Sequence, residues 1–292
     1  MKKQKILLIG PFPSPISGVS IANLKVKEIL LNDDFYSVNI IDTSFPEFDE
    51  NIGEFSFKKL LFSIVINFKI FKIFYSDIVY ITPGQTFFGV LKYSFFILYS
   101  KILKKELIIH VHGNHLATEY KLLKGFKKKI FFYLISCFNK GIVLSESLKS
   151  NLVPFLNSES IFILNNFASD SFNLKDKVVD VKKLKILFLS NLMEEKGILY
   201  FLDALFELDK ENINYEAKLA GNISKELNSI ILTKLEKLPK VEYLGVVQGD
   251  AKQEILNWSN VFILPTYYKM EGQPISILEA MASKNIIITT KH

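Results

Sequence analysis

The string TYYKMEGQPISILEAMA, residues 266–282, carries two carboxylates, Glu271 and Glu279, with seven residues between them. NVFILP, just before it, reads as a short buried strand ending at Pro265, and Gly272 and Pro274 follow the first glutamate closely. Glu271 is therefore expected in a strand-to-helix loop, and Glu279 about one to two turns into the helix. In open α/β sheets, ligands bind outside the carboxyl ends of the strands, where such a loop lies. A helix starting across Gln273, Pro274, Ile275 and Ser276 would offer free backbone N–H groups, which suit a diphosphate. Gly272 permits close backbone approach, and Ser276 adds a hydroxyl. The carboxylates would then grip neutral hydroxyls, Glu271 those of a sugar and Glu279 those of a ribose. Spacing alone does not separate this from a solvated loop acid followed by an ordinary helix acid. The surrounding string does.

Three further segments hold candidates. FLSNLMEEKG places Lys196 before Gly197, with Asn191 at the start of the turn; without other context, Lys196 is a surface lysine opening a helix. LIIHVHGNH places His112 at a strand end, where a lone histidine is more often structural, and His110 alternates into the strand and is expected to be buried. The HVHGNH spacing invites a metal reading, but no carboxylates cluster beside it and no metal is expected. GPFPSPISGVSIAN places Gly18 where a tight turn would precede a helix, with Ser17 or Ser20 at its cap.

Positioning these residues needs a particular scaffold. KILLIG, YSVNIID, SDIVYIT, ELIIHVHG, KGIVLS and SIFILNN read as short buried strands, with helical patterns between most of them, the first in SIANLKVKEILL. Such alternation implies a parallel sheet covered on both faces. The polar stretch around SDSFNLKDKVVDVKK reads as a linker, after which the pattern restarts with LKILFLS, GILYFLDALFEL and YEAKLAG, and continues to NIIITTKH. The expected organisation is a first Rossmann-like domain over 1–168, a linker over 169–183 and a second Rossmann-like domain over 184–292. Because the pattern stops directly after a strand, the second domain is expected to be incomplete, as if truncated at its C-terminus.

The full string around Glu271 resembles glycosyltransferase family 4, retaining enzymes of the GT-B fold whose Glu-x7-Glu motif is commonly written E-G-x-P-x-x-x-x-E-A-M-A. The resemblance implies two Rossmann-like domains facing a cleft, with a nucleotide diphosphate-sugar donor mainly on the second and the acceptor on the first. GPFPSPISG resembles the family's Gly/Pro-rich first loop, with Ser17 in place of the first glycine of a usual pair. His112 resembles the histidine placed near the donor sugar. FLSNLMEEKG resembles the diphosphate-binding turn; Lys196 and Gly197 match, and Asn191 stands where arginine is often found. AGNIS and YLGVV, around Gly221 and Gly245, resemble further donor-side loops. The implied catalytic set is His112, Glu271 and Lys196, and the implied donor-binding set is Gly18, Asn191, Gly197, Gly272, Gln273, Pro274, Ile275, Ser276 and Glu279. The family does not resemble metal-dependent transferases, so no metal or cofactor is expected beyond the donor substrate. Lys196 and backbone N–H groups would stabilise the departing diphosphate while the acceptor attacks from the face it vacates. The acceptor would be a glycan or a lipid-linked one, in bacterial cell-envelope polysaccharide synthesis. A sugar-nucleotide 2-epimerase shares this architecture, and product analysis would separate the two; a truncated, inactive transferase-like binding protein is the other alternative, marked by failure to bind any donor.

Composition narrows the setting. The chain has 292 residues and a formal net charge of +6, and all 36 of its basic residues are lysines. Nucleic-acid binding is not expected, since arginine is what forks onto phosphates and base edges. Cys137 stands alone, which fits a reducing cytoplasm. Three segments, FKKLLFSIVINFKIFKIFY, TFFGVLKYSFFILYSKILKK and KGFKKKIFFYLISCF, are apolar and aromatic but broken by lysines including Lys69, Lys72 and Lys92, so none is expected to span a membrane. They read equally as buried helices with exposed lysines or as a basic, aromatic face lying peripherally on an anionic membrane.

Overall fold

The computed structural model describes residues 3–45, 62, 65–172, 177 and 183–291. Backbone packing divides the chain into two units, Met1–Asn165 and Asn166–His292. Most of the expected linker over 169–183, and part of the aromatic segment over 57–75, lie outside the described residues.

The first unit is built on a six-stranded parallel sheet. Its strands are β1 (Gln4–Gly10), β2 (Tyr36–Asp42), β3 (Ile78–Ile81), β4 (Glu106–Val111), β5 (Lys140–Val143) and β6 (Ile161–Ile163), in the order β2-β1-β3-β4-β5-β6. Continuous apolar runs such as Ile6 to Ile9 are what a strand covered on both faces requires. The helix Gly18–Leu31 is started by Ser17, whose hydroxyl accepts from the Ser20 N–H while Ser20 Oγ accepts from the Ser17 N–H, a reciprocal capping box. In the first aromatic segment, residues 65–67 are α-helical and continue into a 3-10 helix, Phe68–Tyr75.

The second unit repeats the plan with five parallel strands: β7 (Leu184–Leu189), β8 (Tyr215–Ala220), β9 (Val241–Tyr243), β10 (Val261–Leu264) and β11 (Ile286–Thr289), ordered β11-β10-β7-β8-β9. Its core is packed by residues such as Phe188, Phe201, Tyr215 and Phe262. The chain leaves β7 toward β8 on one side and returns to β10 on the other. Strand order therefore reverses between β7 and β10, the position where open α/β sheets bind their ligands. Lys177 fastens the start of this unit: its Nζ donates to the Leu256, Ser259 and Ser283 carbonyls at 3.0, 2.5 and 2.8 Å and to Asn285 Oδ1 at 3.2 Å. Those carbonyls lie at the C-terminal ends of the helices Gly249–Trp258 and Ile275–Ala282, where a cation complements the helix dipole.

Candidate functional site

The sequence-predicted residues of the second unit gather at its strand-order reversal. The loop after β10 is stitched to the loop after β7 by the Tyr267 N–H, which donates to the Glu195 carbonyl at 2.7 Å. Gly197 allows the close approach. Its φ of +80° is left-handed, and a Cβ there would stand 2.3 Å from the Pro265 carbonyl oxygen. This contact sets the adjacent Lys196 beside Glu271, and the two side chains form an ion pair with 14% and 13% of their surfaces exposed. Thr266 Oγ1 lies 3.3 Å from the same Glu271 oxygen, and Lys196 Nζ sits 4.9 Å from the centre of the Tyr268 ring. A cation, a carboxylate and an aromatic face thus meet beside the strand-order reversal. Asn191 is half-buried at the start of the same β7 loop.

The helix Ile275–Ala282 begins beside them. Its N-cap is Pro274, with no side-chain cap, so the first-turn N–H groups at Ile275 and Ser276 have no intrahelical acceptor. Gly272 and Ser276 are half-buried, while Ile275 is buried and anchors the first turn. Gln273 has a role that its position in the motif does not disclose: its Oε1 accepts from the Asn166 N–H, and its carbonyl accepts from Asn166 Nδ2, both at 2.7 Å. Glu279 stands apart from the Lys196–Glu271 pair. It is 5% exposed, and Lys252, from the helix Gly249–Trp258, places its Nζ 2.6 Å from both carboxylate oxygens. Burial pushes the Glu279 carboxyl above the usual glutamate range, and the Lys252 charge and hydrogen bond oppose that shift. Lys252 is the site residue that sequence reasoning missed. It lies 27 positions from its partner on a different helix, and no local pattern marks it out among the lysines.

In the first unit, Gly18 does not make the tight turn expected of it. It is the first helical residue, it has no left-handed φ, and a Cβ there would meet nothing within 4 Å. The surrounding protein does not demand a glycine, and the space beside it is open. His112 follows β4 with its ring tilted 37° against that of His110, centroids 3.9 Å apart. His110 is buried and hydrogen-bonded through Nδ1 to the Tyr80 hydroxyl. Burial lowers the His112 pKa to about 4 and depresses that of His110 as well, helped there by the neighbouring His112. Both rings are therefore neutral near pH 7, and His112 Nε2 is buried without a hydrogen-bond partner. His115 pairs instead with Glu119 at 3.4 Å. Among the described residues, no group of histidine, cysteine and acidic side chains could hold a metal ion.

Comparison with known proteins gives the fold its name. The chain resembles HepE of Anabaena, solved with UDP and glucose, at 14% identity and a TM-score of 0.65, over 98% of this chain and 80% of that one. It also resembles WaaG, a glycosyltransferase involved in lipopolysaccharide biosynthesis, at 12% identity and a TM-score of 0.67, again over 98% and 80%. Together with the two parallel sheets, these likenesses establish the GT-B fold. Over an alignment of 164 positions the chain is 25% identical to an uncharacterized glycosyltransferase of Methanocaldococcus jannaschii, a match that covers 51% of this chain and 41% of that relative's length. Residues 183–292, the part of the chain that contains Lys196, Lys252, Glu271 and Glu279, match the family described as Glycosyl transferases group 1, so the second unit carries a domain of that family.

Proposed function

We propose that this chain is a retaining glycosyltransferase that moves a sugar from a nucleotide diphosphate-sugar to a glycan or lipid-linked acceptor. On this reading it works on the cytoplasmic side of the cell membrane, in envelope polysaccharide synthesis. The observation that carries it is the Lys196–Glu271 ion pair, held where strand order reverses and beside an uncapped helix N-terminus.

An arriving diphosphate competes for Lys196. Its oxygens are stronger partners for an ammonium than one shared carboxylate, and the N–H groups at Ile275 and Ser276 add donors. Glu271, released from Lys196, then has lone pairs for the hydroxyls of the sugar. The same contacts strengthen as charge develops on the departing diphosphate, which is where catalysis needs them. The acceptor attacks on the face being vacated, which keeps the anomeric configuration. Glu279, fixed by Lys252, offers its carboxylate to the ribose.

The test is a thermal-shift screen of the whole chain against UDP-, GDP- and ADP-sugars, followed by product analysis with the donor that binds. A ligand at about a hundred times its Kd stabilises by about 2.7 kcal/mol. The expected result is a rise in Tm with one nucleotide class, diminished in Glu271→Gln, and transfer with the anomeric configuration retained. A cooperative melt that no nucleotide diphosphate moves would overturn the reading, and an epimerised donor as the product would replace it.

A further inference from the structure

Between Glu119 and Glu146 the chain has six lysines (Lys121, Lys124, Lys127, Lys128, Lys129 and Lys140) and no acidic residue. Between Asp77 and Glu106 it has Lys92, Lys101, Lys104 and Lys105, again with no acidic residue. These segments supply the helices Ser94–Ile102 and Gly125–Ser136, which pack against each other in the first unit. Phe96, Ile97, Phe131, Leu134 and Ile135 face inward and join the core. The outer faces are not polar: Phe95, Phe126 and Tyr133 are 63%, 77% and 59% exposed, and Phe132 is exposed beside them.

Three of the exposed rings, Phe95, Tyr133 and Phe132, line apolar grooves. One, of about 460 Å³, is lined by Leu91, Phe95, Leu98, Ile130 and Tyr133, together with Lys129. A second, of about 420 Å³, is lined by Tyr120, Lys128 and Phe132, and Lys129 lines this one too. Lys128 Nζ lies 4.7 Å from the Tyr120 ring centre, and Lys127 Nζ lies 5.6 Å from that of Phe87. Lysine stems thus cover apolar surface while their charged heads stay at its edge. Of these lysines, Lys140 pairs with Glu106 at 2.6 Å, while Glu119 accepts from the Phe87 N–H and pairs with His115. Scattered exposed apolar residues are ordinary, but four exposed rings on two packed helices are not. Lysine is depleted from the centre of protein–protein interfaces, whereas here Lys129 lies between two apolar grooves. Lysine interleaved with aromatic rings is the composition of a surface that lies in a membrane interface. No helix among the described residues is long and apolar enough to cross a membrane.

We infer that this face docks on a bilayer bearing anionic phospholipid, with Phe95, Phe126, Phe132 and Tyr133 entering the headgroup–acyl boundary and the lysines meeting lipid phosphates. The inference rests on the membrane-side reading proposed above and gives it an address, on a different unit from the Lys196–Glu271 pair.

The experiment is co-sedimentation of the whole chain with vesicles of phosphatidylcholine, alone or mixed with phosphatidylglycerol. Binding is expected only to the mixed vesicles and is expected to weaken with added salt. Each lysine near such a surface is worth roughly fivefold in partitioning, so Lys121→Gln/Lys124→Gln/Lys129→Gln should bind on the order of 100-fold more weakly. Phe126→Ser/Tyr133→Ser should lose binding while its donor-induced thermal shift stays intact, which separates this surface from the donor site. Equal binding to neutral vesicles, no binding to either, or unchanged binding in both variants would overturn the inference. So would a dimer that Phe126→Ser/Tyr133→Ser dissolves, since the face would then be an interface between copies. Loss of the donor reading would leave the vesicle result standing.

Discussion

Replacing Lys196 with methionine probes the centre of the second unit. The methionine stem can keep contact with Tyr268, but Glu271 is left with the Thr266 hydroxyl at 3.3 Å as its side-chain partner. Breaking a fully buried ion pair costs about 3–5 kcal/mol, and breaking an exposed one costs about 0–1 kcal/mol. With 14% and 13% of its side-chain surfaces exposed, this pair falls between those limits. We expect a loss of about 2 kcal/mol for Lys196→Met, with a coupling energy to Glu271→Gln of about 1–2 kcal/mol in a double-mutant cycle. Trp258 is the only tryptophan and lies in the helix Gly249–Trp258, so urea unfolding followed by its fluorescence reports on this unit alone. Ligand titrations on the same variants carry the functional half. Lys196→Met loses a charge-assisted hydrogen bond to the diphosphate, about 1.5–3 kcal/mol, so Kd for a nucleoside diphosphate should rise roughly 10- to 100-fold. Glu271→Gln should do the opposite. It frees Lys196 from its partner, so nucleoside diphosphate affinity should hold or improve while the extra affinity for the sugar-bearing form disappears. A coupling energy indistinguishable from zero, or a nucleotide Kd that Lys196→Met leaves unchanged, would refute the account of the pair.

Two glycines should part company. Gly197→Ala meets the Pro265 carbonyl and a left-handed φ, and is expected to destabilise the second unit by about 2–4 kcal/mol. Gly18→Ala meets nothing in the protein and should leave the first unit as stable or slightly more so, within about 1 kcal/mol; a loss of turnover with stability intact would show that a ligand uses the open space. Stability of the first unit should also depend on pH through its adjoining histidines. The His112 pKa falls from 6.5 to about 4 on folding, so its contribution is complete above pH 6.5 and is lost as pH drops toward 4. Hydrogen exchange of the β4 amides should show that decline, and it should be flatter in His110→Phe/His112→Phe.

The strands were legible because parallel strands covered on both faces must be short and uniformly apolar, as KILLIG and NVFILP are. The neighbourhood of Glu271 was legible for a related reason: a strand, a glycine and a helix start in sequence fix where a loop must fall. Pairings across the fold were not. Lys196 and Glu271 are 75 positions apart, Asn166 and Gln273 107, and each partner's local sequence fits a solvated residue equally well. Gly18 misled for a different reason. A glycine before a helix suggests a demanding turn, but Ser17 and Ser20 already cap this helix, and the glycine reflects open space instead. The aromatic segments were ambiguous because periodicity states which residues share a face, not whether that face is covered; exposure of Phe95, Phe126 and Tyr133 supplied the missing half.

The two hydrogen bonds between Asn166 and Gln273 have a mechanical meaning. Asn166 is where the second unit begins, and Gln273 lies two residues beyond Glu271. Tension on the incoming chain is therefore borne partly by the carboxylate's own loop, through bonds shared with one side chain, rather than by the sheet alone. That loop lies in the load path of the polypeptide, and a displacement of Glu271 at one end and a pull on the chain at the other are opposite ends of the same lever.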